Sequence, residues 1–333
     1  MASIKTCAVE SGESYGKPRS SAMNVYLLIP KLDIHNANAM SSSYTIGFPA
    51  MTAWLGAVHA LQRRLRSNGF PKVELYRVAV SCHDCNLQTY KGPHDNKYSI
   101  IGTANPLKKK NNSFERPPFI EEPRCHLKVS LLVELKHTNP DEEQEFLDAV
   151  SASLTQMKLA GGDILAFQRP ILEYADMDDG SAAHIIRKLM PGYVVIDRSD
   201  LLGVQREPGT DALDFLLDTL AVHFSSAGKR EEGQAPQWTA SRKQPGWIVP
   251  LAVGFKDLSG PVKVKNQRSL DYEHHFVEAV VTVGEFKMPI HFRDSKEPYA
   301  VRLQDLDDMM WKYRIDSARG LYLCENENQW NKI

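Results

Sequence analysis

The sequence has few cysteines and no long hydrophobic run. Its 333 residues include five cysteines, an odd number, which is typical of a protein kept in a reducing compartment rather than one held together by disulfides. No segment approaches the roughly 20 consecutive apolar residues that a membrane-spanning helix needs. Residues 1–18 lack the apolar core of a secretory signal. These absences favour a cytoplasmic protein with no membrane segment.

The sequence also lacks an excess of charge of either sign. Forty Lys and Arg residues stand against 41 Asp and Glu residues, whereas a free-standing nucleic-acid-binding domain usually carries a basic surplus. Any nucleic-acid role must therefore rest on local patches or on binding that is shared with other subunits. Hydrophobic residues make up 42% of the chain, which is typical of a globular protein with its own core.

Several motifs with known chemistry are missing as well. The sequence contains no P-loop, dinucleotide fingerprint, nucleophile elbow or kinase signature. It also lacks the aromatic strand motif on which many ferredoxin-like RNA-binding domains stack bases. If the chain binds RNA, loops and the insertion must therefore make the contacts.

The first half of the chain alternates between strand and helix patterns. Residues 1–22 are rich in Ser and Gly and predict a flexible tail. The apolar run 25–29 predicts a buried strand, a helix is predicted to begin at Pro49, and residues 72–82 predict a second strand. The predicted buried face of the helix is Met51, Trp54, Leu55, Val58, Leu61 and Leu65. On the second strand, one side is predicted to hold Tyr76, Val78, Val80 and Cys82, and the other Arg77, Ala79, Ser81 and His83.

A long irregular insertion follows, and then the pattern repeats. Residues 86–124 hold five prolines and seven basic against four acidic residues, and so long a segment inside a compact domain tends to be functional or disordered. Alternation over 127–135 predicts a strand, a helix is predicted to begin near Pro140, and residues 163–167 predict a closing strand. The order β-α-β, insertion, β-α-β predicts an α+β domain over 23–168 with a modified ferredoxin-like (RRM-like) fold.

The second half, residues 169–333, predicts an irregular α+β region. Its predicted elements are strands over 193–196 and 247–251 and helices over 211–224 and 303–313. The polar segment 225–244 is predicted to be a mobile loop.

A polar segment ahead of the first helix is the first candidate for RNA contact. Asn36, Asn38 and residues 41–43, all serines, carry side chains suited to phosphate, ribose and base edges, and a helix N-terminus favours an anion. Arg63 and Arg64 lie about three turns further along the helix and extend the cationic surface. The alternative is that the polar residues are ordinary turn residues and the arginines a solvated helix end.

Three other features each allow two interpretations. The pair Gly161-Gly162 would let the backbone approach a phosphate, but glycine is also common where a helix ends. Cys82 to Cys85 with Cys125 and His126 could supply zinc ligands, but adjacent strand residues point to opposite faces, which favours half-buried structural cysteines. His83 and His126, with Lys128 or Arg77 nearby, could act as the acid and base of a ribonuclease, although a histidine beside a strand is more often structural.

The order of several short motifs resembles a known family. These motifs are Leu27 to Leu32, Ile34 to Ala39, Ser41-Ser42, Gly47-Phe48-Pro49, Val58 to Arg64, His126 to Leu132, Met157 to Leu165 and Pro245 to Pro250. Taken together and in this order, they resemble the second Csy subunit of type I-F CRISPR systems, which belongs to the Cas-five class of repeat-associated RNA-binding proteins.

The resemblance implies a non-catalytic subunit of an RNA-guided surveillance complex, and with it we predict no catalytic residue, no cofactor and no metal. It implies a modified ferredoxin-like fold whose insertion forms a β-hairpin thumb. It also implies that the chain pairs with the large Csy subunit (Cas-eight class), holds the 5′ handle of the crRNA and abuts a backbone Csy subunit (Cas-seven class). Target DNA would then be recognised by guide pairing within the complex, as in other RNA-guided systems.

We predict that the RNA contacts come from the polar segment, the first helix, the insertion and the glycine turn. The predicted contacts are Asn36, Asn38, Ser41, Ser42, His59, Gln62, Arg63, Arg64, Lys108, Lys109, Lys110, Lys158, Gly161 and Gly162. The enzymatic alternative is a Cas-five-type, metal-independent endoribonuclease that processes precursor crRNA. A third possibility is a pure protein scaffold.

Overall fold

Alternating apolar residues place most of the chain in one large antiparallel sheet. The computed structural model describes residues 24–95, 97–102, 108–115, 122–136, 140–175, 181–203, 211–227, 237–267, 269–292 and 303–328. The predicted tail, residues 1–22, lies outside the described residues.

The helices and strands of the described residues are as follows. The helices are α1 (Met51–Ser67), α2 (Glu143–Leu154), α3 (Ser181–Leu189), α4 (Asp200–Gly203), α5 (Ala212–Leu220) and α6 (Leu303–Asp307). The first strands are β1 (Asn24–Asn38), β2 (Met40–Ser42), β3 (Thr45–Ile46), β4 (Glu74–Leu87), β5 (Thr89–Tyr90), β6 (Ser99–Ile100), β7 (Lys108–Lys110), β8 (Ser113–Glu115) and β9 (Arg124–Lys136). The remaining strands are β10 (Lys158–Leu159), β11 (Gly162–Ala166), β12 (Ile171–Ala175), β13 (Tyr193–Asp197), β14 (Val222–Ala227), β15 (Gln237–Arg242), β16 (Ile248–Asp257), β17 (Val277–Lys287), β18 (Trp311–Asp316) and β19 (Leu321–Asn326).

The main sheet has 11 strands in the order β10-β11-β1-β9-β4-β13-β17-β16-β19-β18, and β12 also pairs with β1. Its first part, β11-β1-β9-β4, is antiparallel at every pairing. The last strand, β18, returns to pair with β4 at Trp311 and Val78, so six strands close into a ring. The protein is therefore a mixed α+β structure built on one extensive antiparallel sheet.

Helices cover both faces of the central strands. On β1, Leu27 and Ile29 point into a core that contains the buried faces of α1 and α2. Tyr26 and Leu28, which alternate with them, point into a second core with α3 and α6. Because successive strand residues point to opposite faces, a strand buried on both sides is apolar at nearly every position.

The predicted buried faces are confirmed for α1 and for β9. All six stripe residues of α1 are buried, as are the five alternating residues of β9 from Leu127 to Leu135. The prediction that Tyr76 shares a side with Val78 is wrong, because Tyr76 is 47% exposed while Leu75 is buried in the same core as Val78. The pairing of β4 with β9 shifts between Leu75 and Val78, and such a bulge reverses the side to which the preceding residues point.

The second half differs from its predicted elements at three places. The helix predicted over 211–224 ends at Leu220, and the helix predicted over 303–313 ends at Asp307. The residues after Leu220 form a hairpin strand with β15, and Trp311, which follows α6, pairs with Val78 of β4. The predicted mobile loop 225–244 holds the ends of the β14–β15 hairpin instead, and residues 228–236 lie outside the described residues.

The insertion between β4 and β9 contains two short two-stranded pairings, β5 with β6 and β7 with β8. Residues 96, 103–107 and 116–121 of the insertion lie outside the described residues. The division of the chain at residue 168 stays a prediction, and the main sheet continues beyond that position into β12 and β13. None of the helices in the described ranges is both long enough and apolar enough to cross a membrane.

Candidate nucleic-acid interface

Four of the predicted RNA contacts meet at one cleft, which we call the α1 cleft. It has a volume of about 620 Å³ and lies between the first half of α1, the β2 strand and the β10–β11 turn, with Phe255 of β16 at its side. The predicted contacts that line it are Asn38, Ser41, Lys158 and Gly161. The sequence alone could not predict that these residues meet, because the cleft joins segments that are more than 100 residues apart.

One wall of the α1 cleft is formed by small residues of the helix. Ala53, Gly56, Ala57 and Ala60 recur at the three- and four-residue spacing that puts side chains on one helix face. They lie off the buried stripe and face the cleft, and Ala57 also packs against the edge of the core. At Gly56, an added Cβ atom would meet only the Tyr313 hydroxyl, at 3.9 Å. The helix therefore leaves open space that an extended chain could occupy.

The opposite wall is the turn between β10 and β11. Ala160 and Gly161 both have left-handed φ values, 50° and 77°, a conformation that glycine adopts without strain. The turn is held to β1 because the Asn38 amide donates to the Ala160 carbonyl at 2.8 Å. The side-chain oxygen of Asn38 accepts from the Met40 amide at 2.9 Å. Backbone hydrogen bonds thus set the position of this wall.

Lys158 supplies the positive charge of the α1 cleft. Its ammonium group lies 2.7 Å from a carboxylate oxygen of Asp163, and both side chains are more than 60% exposed. An exposed ion pair of this kind contributes little to stability, about 0–1 kcal/mol. Lys158 can therefore exchange Asp163 for a phosphate group at small cost, which suits it for contact with a nucleic-acid backbone.

The two serines that are predicted to contact RNA have different surroundings. Ser41 lines the α1 cleft, and its hydroxyl lies 2.9 Å from that of Thr45. Ser42 is 8% exposed, and its hydroxyl lies 2.6 Å from the same Thr45 oxygen. Ser42 therefore stabilises the turn between β2 and β3. Its predicted contact with RNA stays a prediction.

Asn36 lies at the end of β1 rather than in a loop as the polar pattern predicted. It belongs to a group that we call the second polar cluster, which consists of His35, Asn36, Gln88, Arg124 and His126. The strand runs on to Asn38, and Asn36 adopts a left-handed φ of 57°. Its side-chain oxygen accepts from Gln88 at 2.7 Å, and its carbonyl accepts from Arg124 at 3.3 Å. Next to it, the rings of His35 and His126 stack with their centroids 3.9 Å apart.

Arg124 is a functional candidate that the sequence did not reveal. One guanidinium nitrogen lies 3.7 Å from the position a Cβ of Gly161 would take, so Arg124 connects the second polar cluster with the α1 cleft. Its side chain is 24% exposed and pairs with Glu122. No local spacing could identify this residue, because its neighbours come from β1 and from the β10–β11 turn.

The predicted contacts in the second half of α1 differ in their exposure and in their hydrogen-bond partners. His59 and Arg63 are exposed. The side-chain oxygen of Gln62 accepts from the Leu75 amide at 2.6 Å and so ties α1 to β4. Arg64 donates to the side-chain and main-chain oxygens of Gln156 at 3.3 and 3.4 Å. These four residues do not line the α1 cleft.

The remaining predicted contacts also lie away from the α1 cleft lining. Lys108, Lys109 and Lys110 form β7 and are all exposed, and the Lys110 ammonium lies 3.3 Å from a Glu115 oxygen. Gly162 has a packing role, since an added Cβ would come within 2.7 Å of the His35 carbonyl oxygen. Their predicted contact with RNA stays a prediction.

The two histidines of the enzymatic alternative have separate partners. One ring nitrogen of His83 lies 2.9 Å from the Lys31 ammonium, and the other lies 2.8 Å from the Ser130 hydroxyl. His126 contacts the second polar cluster described above, and Arg77 pairs with Glu134 and Asp307. The described ranges contain no group of three or more Cys, His, Asp or Glu residues placed to hold a metal ion.

His83 should make the stability of the fold depend on pH. Burial, together with Lys31 and Lys128, lowers the pKa of His83 from 6.5 to about 4. Between these values the unfolded state binds a proton and the folded state does not, so this contribution is complete above pH 6.5 and is lost as the pH falls toward 4. We expect a loss of about 1–2 kcal/mol in the free energy of unfolding, allowing for solvent screening at this half-buried site.

Urea denaturation at a series of pH values between about 7 and 4 measures this effect. His83→Gln should flatten the dependence, since glutamine does not titrate. A variant that keeps the full slope of the natural protein would show that other groups cause the loss.

Comparison with known proteins identifies the family. Residues 27–324 match the family model of the CRISPR-associated protein Cas_Csy2. The chain is 33% identical over 323 residues to the CRISPR-associated protein Csy2 of Pseudomonas aeruginosa strain UCBPP-PA14, a match that covers 89% of this chain and 93% of that relative. The matched region includes all residues that line the α1 cleft and every buried core residue except Tyr26. The chain therefore belongs to the Csy2 family of CRISPR-associated proteins.

Proposed function

We propose that this protein is the non-catalytic subunit of a type I-F CRISPR surveillance complex that binds the 5′ handle of the crRNA. The observation that carries the proposal is the α1 cleft, where Lys158, Asn38, Ser41 and the Gly161 turn face a helix wall of small residues. A cation, amide and hydroxyl groups, and an exposed backbone turn are the groups that proteins use on phosphate and ribose. Family membership makes a CRISPR RNA the natural occupant.

The fold of the first half supports membership of the Cas-five class. The strand order β11-β1-β9-β4, with α1 and α2 packed on one face, supports a ferredoxin-like arrangement. The insertion between β4 and β9 is the segment that we propose as the thumb, and the pairing of β7 with β8 into a basic hairpin there supports this. We infer a modified ferredoxin-like fold on which the second half of the sheet has been built.

The partners we propose are the large Csy subunit (Cas-eight class) and a backbone Csy subunit (Cas-seven class). The near balance of 40 basic and 41 acidic residues supports a subunit that shares its RNA with neighbours, since a lone RNA-binding domain would carry a basic surplus. Target DNA is then read by pairing with the guide. The cytoplasmic location stays a prediction.

Binding of RNA with and without the native handle tests the proposal. The chain should be co-purified with its large subunit and titrated with two RNAs of equal length, one with the native handle and one with the handle sequence scrambled. We expect the native handle to bind at least about tenfold more tightly, a difference of about 1.4 kcal/mol. Equal affinity for the two RNAs would contradict the proposal.

The same preparation distinguishes binding from cleavage. Incubation with precursor repeat RNA in the presence of a chelator should leave the RNA intact. Specific cuts that disappear in His83→Ala or His126→Ala would instead establish the endoribonuclease alternative.

A further inference from the structure

A second cavity lies on the other side of the segment that leads into α1. This cavity, which we call the aromatic pocket, has a volume of about 340 Å³. Ile46, Gly47 and Phe48 line the aromatic pocket, and the next residues, Pro49 and Ala50, line the α1 cleft. The two cavities therefore adjoin the same short segment of chain, residues 46–50.

The walls of the aromatic pocket are rings held in fixed positions. Trp247 packs against Tyr193 and Phe286, with ring centroids 5.3 and 5.2 Å away. The Phe286 amide donates to the Trp247 carbonyl at 3.0 Å, so the backbone sets where the indole sits. Phe48 meets Phe286 edge to face at 5.2 Å. Trp247 nevertheless stays 51% exposed, which leaves part of a large aromatic surface facing solvent.

Polar groups lie at the rim of the same pocket. His83 lines it with both ring nitrogens engaged, one by the Lys31 ammonium and the other by the Ser130 hydroxyl. Asp84, next to it, also lines the pocket and is exposed. A carboxylate accepts hydrogen bonds from the amino groups of base edges. The lining therefore combines ring faces with a hydrogen-bond acceptor at the rim, which suits a planar group with a polar edge.

We propose that the aromatic pocket receives one unstacked nucleobase of the RNA that occupies the α1 cleft, with Trp247 as its stacking surface. This inference rests on the proposed function, because it takes the same RNA as the ligand. Single-stranded RNA is commonly read by bases splayed onto aromatic side chains. The pocket is lined by residues of two motifs that lie about 200 positions apart in the sequence, Gly47-Phe48-Pro49 and Pro245 to Pro250. Base binding would therefore assign one function to both motifs.

A double-mutant comparison with abasic RNA tests the pocket. Handle RNAs that lack the base at one position at a time are titrated against the natural complex and against Trp247→Ala. Stacking on an aromatic side chain contributes about 1–3 kcal/mol per base, so we expect Trp247→Ala to weaken binding of the native handle about 5- to 150-fold. One abasic position should cause a similar loss in the natural complex and no further loss in Trp247→Ala.

Controls separate this result from damage to the fold. Trp238→Ala removes another exposed tryptophan, 64% exposed on β15, and should leave handle affinity unchanged. Trp247→Phe should retain most of the affinity, because it retains a ring. If Trp247→Ala fails to fold, Trp247→Leu keeps apolar packing against Tyr193 without a stacking surface and serves in its place.

Two outcomes would overturn the inference. In the first, the losses from Trp247→Ala and from every abasic position simply add. In the second, Trp247→Ala releases the large subunit while RNA affinity is unchanged, which would assign the pocket to a protein side chain. Neither outcome is the failure of the proposed function, which would appear as equal binding of native and scrambled handles by the unmutated complex.

Discussion

Gly56→Trp is expected to abolish handle binding while the protein stays folded. Gly56 lies in the middle of the α1 wall of the cleft, and an added Cβ there would have only the Tyr313 hydroxyl within 4 Å. An indole at this position would fill the part of the cleft that the RNA backbone needs. We expect affinity for the native handle to fall by about 100-fold or more, a loss of about 2.7 kcal/mol. The measurement is titration of the co-purified complex with labelled handle RNA.

Two variants serve as controls for this prediction. Ala152→Trp places the same side chain at an exposed position of α2 and should leave handle affinity unchanged. Gly56→Ala should increase the free energy of unfolding by about 1 kcal/mol, because alanine favours a helix interior over glycine and its Cβ fits. If Gly56→Trp folds and still binds the handle within about threefold of the natural protein, less than 1 kcal/mol, the α1 cleft does not hold the RNA.

Gly162→Ala is expected to cause a large loss of stability. An added Cβ at this position would lie 2.7 Å from the His35 carbonyl oxygen and 2.8 Å from the Ala37 amide nitrogen. Both atoms belong to the backbone of β1, so β11 would have to move away from the centre of the sheet. We expect the free energy of unfolding to fall by about 2–3 kcal/mol, the usual cost of overpacking. Urea denaturation of the isolated chain measures this loss.

The neighbouring glycine supplies the matched control. Gly161 has a left-handed φ of 77°, and an added Cβ would find its nearest atom at 3.7 Å. Gly161→Asn should therefore cost less than about 1 kcal/mol, because asparagine adopts the left-handed conformation more readily than other non-glycine residues. Equal losses from the two substitutions would show that close packing against β1 is not what Gly162 provides.

Elements with strong periodicity could be predicted from the sequence. The buried stripe of α1 and the alternation of β9 are correct because each side chain faces one core, so burial follows the local repeat. Prediction failed where pairing with a distant strand decides the structure. Tyr76 lies beside a bulge against β9, and Trp311 leaves the helical pattern of α6 to pair with Val78 and to donate its indole N–H to the Val195 carbonyl.

The candidate site could likewise be predicted only in part. Sequence reasoning named Asn38, Ser41, Lys158 and Gly161 separately, and the fold brings these four to one cleft. It could not predict that small residues of α1 form a wall of the cleft, because the sequence does not show which segment packs opposite them. It also missed Arg124, since that residue approaches Gly161 only through the pairing of β1 with β9.

The most direct test of RNA binding at the α1 cleft is ultraviolet crosslinking of the assembled complex, followed by mass spectrometry of the crosslinked peptides. We expect nucleotides of the 5′ handle to be attached to two segments of this chain, residues 38–41 and 158–161. Handle crosslinks confined to other subunits, or to surfaces of this chain remote from both segments, would contradict RNA binding at the α1 cleft.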